Sequence, residues 1–303
     1  FHSEFVRRAW PFPNGDLLAL FEYTGITRVD VTGKPLWARA NRNHHDFKIL
    51  PDGTILGLDI VGRERGWLRE RYRTTRFPKG IIDSHVVFLN PDGELLRKFS
   101  IFEAFHKSRF AAFLSAIQPE PADIFHANSI DIFDAASAAE HPLFEGGDIL
   151  VSLRNPSAVV VIDGKTEEVK WLSRGVSLVQ HQASFVFGGS VLLLDNAGGN
   201  QRFPLRVNRS RVIEIAPLTQ EIVWRYPPLG KETEFFTGML GYVERLPGGN
   251  TLITESLQGH VLEVSPEGNL VWEYYSPYRA GEDDELITTL MGARRIPRAG
   301  LPF

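Results

Sequence analysis

The stretch His44-His45-Asp46-Phe47-Lys48-Ile49-Leu50-Pro51-Asp52-Gly53-Thr54-Ile55-Leu56-Gly57-Leu58-Asp59 holds a polar start, an apolar run, a tight turn and a returning apolar run. Asp-Gly at such a turn supplies the positive φ that a short hairpin loop requires, so the segment reads as two antiparallel strands. The pattern recurs at Pro13-Asn14-Gly15, at Gly188-Gly189 and at Pro247-Gly248-Gly249, the last followed by Thr251-Leu252-Ile253-Thr254. A second hairpin follows the first in each copy, at 28–34, 86–93, 159–164 and 261–268. The copies close on Trp37, Phe99, Trp171, Trp224 and Trp272. Four strands per unit with a large ring near the end of the fourth predict an all-β propeller whose aromatic residues pack between blades.

Counting outward from the opening stretch gives units at 5–40, 44–100, 126–172, 181–226 and 241–275. Met291-Gly292-Ala293-Arg294-Arg295-Ile296-Pro297 reads as the first strand of a sixth. The expectation is a single six-bladed domain over 1–303. Because the chain begins at Phe1 without Met, residues upstream are expected to supply the missing strands, so that both termini close the last blade and no sheet edge stays open. A five-bladed ring with a stray end strand is the alternative. All-β rings often run to 303 residues as one domain, and an apolar fraction of 43% suffices for a core. A formal charge of −4 argues against a nucleic-acid binder. No apolar run approaches the roughly 18 residues that span a membrane, and no signal peptide is visible. The absence of cysteine excludes disulfides and thiol chemistry.

Strand direction sorts the connections onto two faces. The longer ones, 60–84, 101–125, 196–209 and 227–239, fall on one face, and 134–147 falls on the other; long loops on one side of a rigid scaffold commonly carry function. Segment 101–117, with Phe102, Phe105, Phe110 and Phe113 near helical spacing, reads either as a helical lid or as a helix covering a blade edge. His44, His126 and His181 each lead the first strand of a blade, so they should meet at one mouth of the central channel. Blade one has Val6 at that place and blade five Leu240, so the fold itself does not demand histidine. His45, Asp46, Asn128, Gln182, Asp59, Arg154, Asp195, Asn196, His85 and His260 are expected on the same face. Arginines cluster at 63–76 and 202–211, and guanidinium forks suit sulfate, phosphate or carboxylate. Arg154 is the strongest single candidate, because it ends a blade strand.

At these residues the chain resembles the arylsulfate sulfotransferases. The resemblance rests on His44-His45-Asp46-Phe47, His126-Ala127-Asn128-Ser129-Ile130-Asp131, Ser152-Leu153-Arg154-Asn155-Pro156-Ser157-Ala158, Gln180-His181-Gln182-Ala183, Leu194-Asp195-Asn196-Ala197-Gly198 and Arg245-Leu246-Pro247-Gly248-Gly249-Asn250-Thr251-Leu252. It implies a six-bladed propeller that passes a sulfuryl group between phenols through a transiently sulfated histidine, without a nucleotide donor or other cofactor. An aryl sulfate and a phenolic acceptor would be its partners, and a periplasmic or secreted location is implied. By motif His126 and His181 take active-site positions, Arg154 clamps sulfate, and Asn128, His45, Asn196 and Gln182 contact substrate. Blade five offers Leu240-Gly241-Tyr242 where a further histidine is sought, which leaves His260 or His44 as stand-ins for the nucleophile.

The residues by themselves leave two other readings open. His44, His126, His181 and His85 are a credible first shell for a divalent metal in a lyase or hydrolase of acidic saccharides. A non-catalytic propeller that binds a partner through the same face is the second.

Overall fold

The computed structural model describes residues 5–134, 141–196, 209–230 and 235–296. Within them lie five four-stranded antiparallel sheets, each with its strands in chain order. Blade one is Val6–Pro11, Leu17–Phe21, Gly25–Val29 and Pro35–Ala40; blade two is Phe47–Ile49, Ile55–Arg63, Ile81–Leu89 and Leu95–Ser100. Blade three is Ala127–Ile132, Ile149–Leu153, Ala158–Ile162 and Val169–Arg174; blade four is His181–Phe185, Val191–Asp195, Arg211–Ile215 and Ile222–Tyr226. Blade five is Tyr242–Arg245, Thr251–Glu255, His260–Val264 and Leu270–Tyr275. In blades two to five the first strand of each sheet packs against the first strand of the next. This is a propeller of four-stranded blades, as the repeats predict, with five blades among the described residues where six were expected and with limits within a few residues of those expected.

The two middle strands of a blade are covered by neighbours on both faces, so they read as continuous rather than alternating apolar runs. Ile149–Leu153 and Ala158–Ile162 are buried at every residue. Adjacent blades are also tied by a repeated hydrogen bond from the fourth strand. Trp37 Nε1 donates to Pro91 O (3.0 Å), Trp171 Nε1 to Pro217 O (2.9 Å) and Trp224 Nε1 to Pro266 O (2.6 Å), each acceptor lying in the second hairpin turn of the next blade. The indole therefore packs against the next blade and still satisfies its one donor, with Trp171 buried and Trp37 and Trp224 partly so. Gly93 shows how close the fit is: at φ +80° it accepts the left-handed turn, and a Cβ there would sit 2.6 Å from the Trp37 ring. Blade two, which has Phe99 in place of tryptophan, uses Arg97, whose Nη1 donates to Gly164 O (2.8 Å).

The pattern stops at blade five. Trp272 is 47% exposed, and its whole strand, Leu270–Tyr275, faces solvent. Residues 291–296, expected to begin a sixth blade, join no sheet among the described residues; Pro297 and Phe1 lie outside them. The segment instead lies at the axis between blades five and one. Leu290 N–H donates to Ser256 O (3.1 Å), Ala293 N–H donates to Thr254 Oγ1 (3.0 Å), and Arg8 Nη1 donates to Met291 O (2.6 Å).

Three short helices stand outside the blades: α1 Arg65–Tyr72, α2 Ile101–Lys107 and α3 Phe113–Ala116. Helix α1 falls in a stretch whose charges had pointed only to a loop. Ser100 caps α2 by accepting from Glu103 N–H (3.0 Å). Phe102 and Phe105 are buried against blades two and three, while the end of the segment, Ala116 and Ile117, borders a cleft described below. No helix among the described residues is long and apolar enough to cross a membrane.

Trp171, 6% exposed, and Trp272 occupy the same place in their blades but face different surroundings. Trp171→Ala should cost on the order of 3–5 kcal/mol as a large aromatic lost from a packed interface, whereas Trp272→Ala should stay within about 0.5 kcal/mol. Urea unfolding of both variants checks this, and equal losses would contradict it.

Candidate functional site

The mouth of the channel is built by the irregular starts of the innermost strands. The ladders slip between Val6 and Arg8, between Ser152 and Leu153, and between His181 and Ser184, and such bulges re-aim side chains next to functional sites. Counting four residues back from the last paired residue of each first strand reaches Arg7, His45, Asn128, His181 and Gly241 in blades one to five. Counting three reaches Arg8, Asp46, Ser129, Gln182 and Tyr242. That inner level is joined across the axis. Arg8 donates to Asp46 Oδ1 (3.3 Å) and to Gln182 Oε1 (3.0 Å), and its guanidinium lies 4.6 Å from the Tyr242 ring centre.

His44, His126 and His181 therefore do not share one position, as their spacing had implied. His181 is level with His45, His44 stands one residue farther out and His126 two. Exposure follows the same gradient. His44, His45 and His181 are buried, and the His126 side chain is 26% accessible.

The imidazoles converge nevertheless. His45 and His126 have ring centres 4.8 Å apart, and His44 Nδ1 lies 2.8 Å from His45 Nδ1. His45 Nδ1 is also 3.0 Å from Glu22 Oε1. One of the two Nδ1 atoms donates to the other, so one of these rings keeps its Nδ1 as an acceptor. His44 Nε2 is a buried nitrogen with no hydrogen-bond partner among the described residues. Tyr23 stacks on His44 with ring centres 5.6 Å apart and holds a left-handed φ of 58°. Burial, then the neighbouring Glu22, pushes its phenol pKa up, so it stays protonated.

His126 and His181 are oriented alike. His126 Nδ1–H donates to Asp123 Oδ2 (2.6 Å), and His126 N–H donates to Asp123 Oδ1 (3.0 Å). Burial acts to raise the Asp123 pKa, but the hydrogen bonds from His126 hold it below the ordinary carboxyl value. The Asn196 amide is fixed by donating from Nδ2 to Thr237 O (2.6 Å) and Leu240 O (2.9 Å), so its Oδ1 accepts from His181 Nδ1–H (2.8 Å). In its neutral form each ring therefore keeps Nε2 as a lone pair. Burial lowers His44 to about 4 and His181 to about 3, and it holds His45 well below its usual value.

Two arginines reach the cluster. Arg7, buried beside Glu22, has Nε 3.6 Å from Glu22 Oε2. Arg154 follows the second strand of blade three and donates its backbone N–H to His126 O (3.2 Å). It lines a cleft of ≈ 740 Å³ with Asp123, Ile124 and Pro156. Asn128 donates Nδ2 to Gln180 O (2.8 Å) and leaves its buried Oδ1 unpartnered.

Other predicted residues lie apart. His260 is held by Glu255 (2.7 Å) and Glu273 (3.3 Å) and stacks on Tyr275 with centres 4.1 Å apart. No described contact joins it to the cluster. His85 Nδ1–H donates to Asp83 O (3.1 Å), and its Nε2 accepts from Arg63 Nη2 (3.3 Å). Among the described residues no three His, Asp or Glu side chains are arranged to hold a metal ion. The arginines of the first insertion serve the scaffold: Arg63 lies over Trp67, Arg71 pairs with Glu103, and Arg76 donates to Ile117 O (2.5 Å). Arg202 and Arg206 lie outside the described residues.

Arg7, Glu22, Tyr23 and Asp123 belong to the site and were not picked out by the sequence. Arg7 was detectable as the blade-one residue at the depth of His45, and Asp123 by its three-residue lead on His126. Nothing local marks Glu22 or Tyr23, which enter from the loop between the second and third strands of blade one.

A family model described as arylsulfotransferase (ASST) matches residues 12–277. A search of curated proteins finds no match to the chain. Among solved structures, the chain is similar to a protein of unknown function from Bacteroides caccae at 16% identity and a TM-score of 0.56, with 88% of this chain and 80% of that one covered. It is also similar to the WD40 β-propeller domain of Doa1 at 14% identity and a TM-score of 0.51, with 87% and 66% covered. At these identities the structural likeness concerns the fold alone.

The buried neutral imidazoles make stability depend on pH. His44 and His181 have folded values near 4 and 3, below the roughly 6.5 of an unfolded chain. Between those limits the unfolded state binds more protons, so their contribution is lost as pH falls below about 6.5. The melting temperature of His181→Gln should therefore fall less between pH 7 and pH 5 than that of the wild type. Comparing the two slopes cancels the opposite contribution of Asp83, whose carboxyl burial pushes up to about 7. Equal slopes would contradict a buried neutral His181.

Proposed function

The chain belongs to the arylsulfotransferase (ASST) family, and from that membership we propose that it transfers a sulfuryl group from an aryl sulfate to a phenolic acceptor through a covalent intermediate on His126. The observation that carries the assignment is the Asp123–His126 pair, a carboxylate holding the proton on Nδ1 while Nε2 remains a lone pair at the most accessible imidazole of the cluster. In the first half-reaction Nε2 attacks sulfur. The N–S bond forms as the S–O bond to the donor breaks, and the phenolate leaves with the bonding pair. In the second, the acceptor oxygen attacks the same sulfur and the N–S bond breaks back onto Nε2. The acceptor gives up its proton to solvent as it attacks, which leaves His126 in its starting form.

Charge on the sulfuryl oxygens is met by the two arginines that reach the cluster, Arg154 and Arg7. Fixed charges aimed at developing charge are commonly the largest catalytic contribution. The buried histidines act as neutral hydrogen-bonding groups, since burial holds their pKa values far below 7. The reaction calls for no cofactor. A periplasmic or secreted location accompanies this reading.

We further propose that blades one and five flank a sixth blade position whose innermost strand includes residues 291–296. The unpaired indole of Trp272, the exposed strand around it and the axial contacts of Met291 and Ala293 support this.

With a nitrophenyl sulfate as donor, nitrophenolate release should be faster with a second phenol present than without it, and a chelator should not slow it. His126→Ala should abolish release and His260→Ala should not. Asp123→Ala should lower kcat on the order of 10²-fold with KM little changed, as expected for a misoriented nucleophile. Full activity of His126→Ala, or loss of activity with chelator, would overturn the proposal.

A further inference from the structure

The cleft beside His126 contains a second cation that the chemistry above does not use. Arg174 ends the fourth strand of blade three, in register with Ala158 and through it with Leu153, the residue before Arg154. The two arginines thus stand two strands apart at one end of the sheet, a backbone separation of roughly 10 Å. Both border the same cleft, whose ≈ 740 Å³ is the size of a small-molecule site. The carboxylates on its wall are engaged elsewhere, Glu120 with Lys79 (2.9 Å) and Asp123 with His126 (2.6 Å). Neither Arg154 nor Arg174 forms an ion pair among the described residues. Arg174 rests instead with its guanidinium carbon 5.3 Å from the ring centre of Phe113 in α3. An aromatic face holds the cation in place without consuming its N–H donors. Ile124, Pro156 and Leu178 give the wall an apolar surface beside the polar Asn155, Ser157 and Ser177.

We propose that the cleft selects aryl sulfates carrying a second anionic group opposite the sulfate, with the sulfuryl end at Arg154 and His126, the ring against the apolar wall, and a carboxylate at Arg174. This rests on the reading of Arg154 and His126 given above and adds the substrate class. A guanidinium fork matches a planar carboxylate in two parallel hydrogen bonds, and a para-disubstituted ring keeps its two charges too far apart for one arginine to hold both.

Calorimetric binding of sulfonates, whose C–S bond does not transfer, tests this on the intact protein. The probes are 4-sulfobenzoate, its carboxylate methyl ester and benzenesulfonate. The wild type should bind 4-sulfobenzoate about tenfold more tightly than either monoanion, the gain of one charge-assisted hydrogen-bonded contact. Arg174→Gln should bring that ratio close to one, and Arg154→Gln should weaken all three probes. A wild-type ratio near one, or a ratio that survives Arg174→Gln, overturns the proposal. A ratio that depends on Arg174 in a protein that never releases nitrophenolate upholds the anion selectivity and refutes the transferase reading. Nitrophenyl sulfate turnover with a ratio of one does the reverse.

Discussion

The hydrogen bonds that stitch the innermost strands to one another determine both the shape of the channel and the character of its mouth. The innermost strand of each blade is a sheet edge, so alternate backbone N–H groups point away from its ladder, and side chains of the neighbouring blade satisfy them. Ile130 N–H donates to Asp46 Oδ2 (3.3 Å), Ala183 N–H to Ser129 Oγ (2.8 Å) and Phe185 N–H to Asp131 Oδ2 (2.8 Å). Asp46 in turn accepts from Arg8, which spans the axis to Gln182 and Met291. A buried carboxylate or guanidinium is tolerable only when it is bonded in this way. Because the axis is filled at this level, the histidines lie at the floor of an open mouth and not along a through-channel.

The chemistry of that floor follows from its burial. Desolvation keeps His44, His45 and His181 neutral, so positive charge near the nucleophile comes from arginine, which burial hardly discharges at pH 7. His126 differs by standing two residues farther out along its strand, with a carboxylate behind it. One stagger in strand register therefore separates the accessible imidazole from the buried ones. The same geometry sets His260 aside, since its two carboxylates and Tyr275 hold it within blade five.

Turn chemistry made most of the fold legible. Asn-Gly, Asp-Gly and Gly-Gly at hairpin turns, with a tryptophan in most fourth strands, located all five blades to within a few residues. Two of the tryptophans show the limit of that reading. Trp171 and Trp272 are indistinguishable by spacing, yet only the first has a neighbouring blade to pack against, a matter of ring closure that no local pattern encodes. In the site, His44, His126, His181, His45 and Arg154 were found by their place in the repeat, but their depths were not, because a bulge adds a residue without leaving a mark in composition. Glu22, Tyr23 and Asp123 escaped because they arrive from loops outside the repeated positions. Among the residues expected to touch substrate, Asn196 bonds His181, Gln182 bonds Arg8, and Asn128 bonds Gln180 O while its Oδ1 has no partner.

The central claim is that His126 carries the sulfuryl group. Rapid quenching of the protein with an aryl sulfate and no acceptor, followed by peptide mass spectrometry, tests it directly. The account predicts one added SO₃ group on the peptide holding His126, lost when a phenol is supplied. The same mass on the peptide of His181, His44 or His260, or on no peptide while turnover continues, would contradict it.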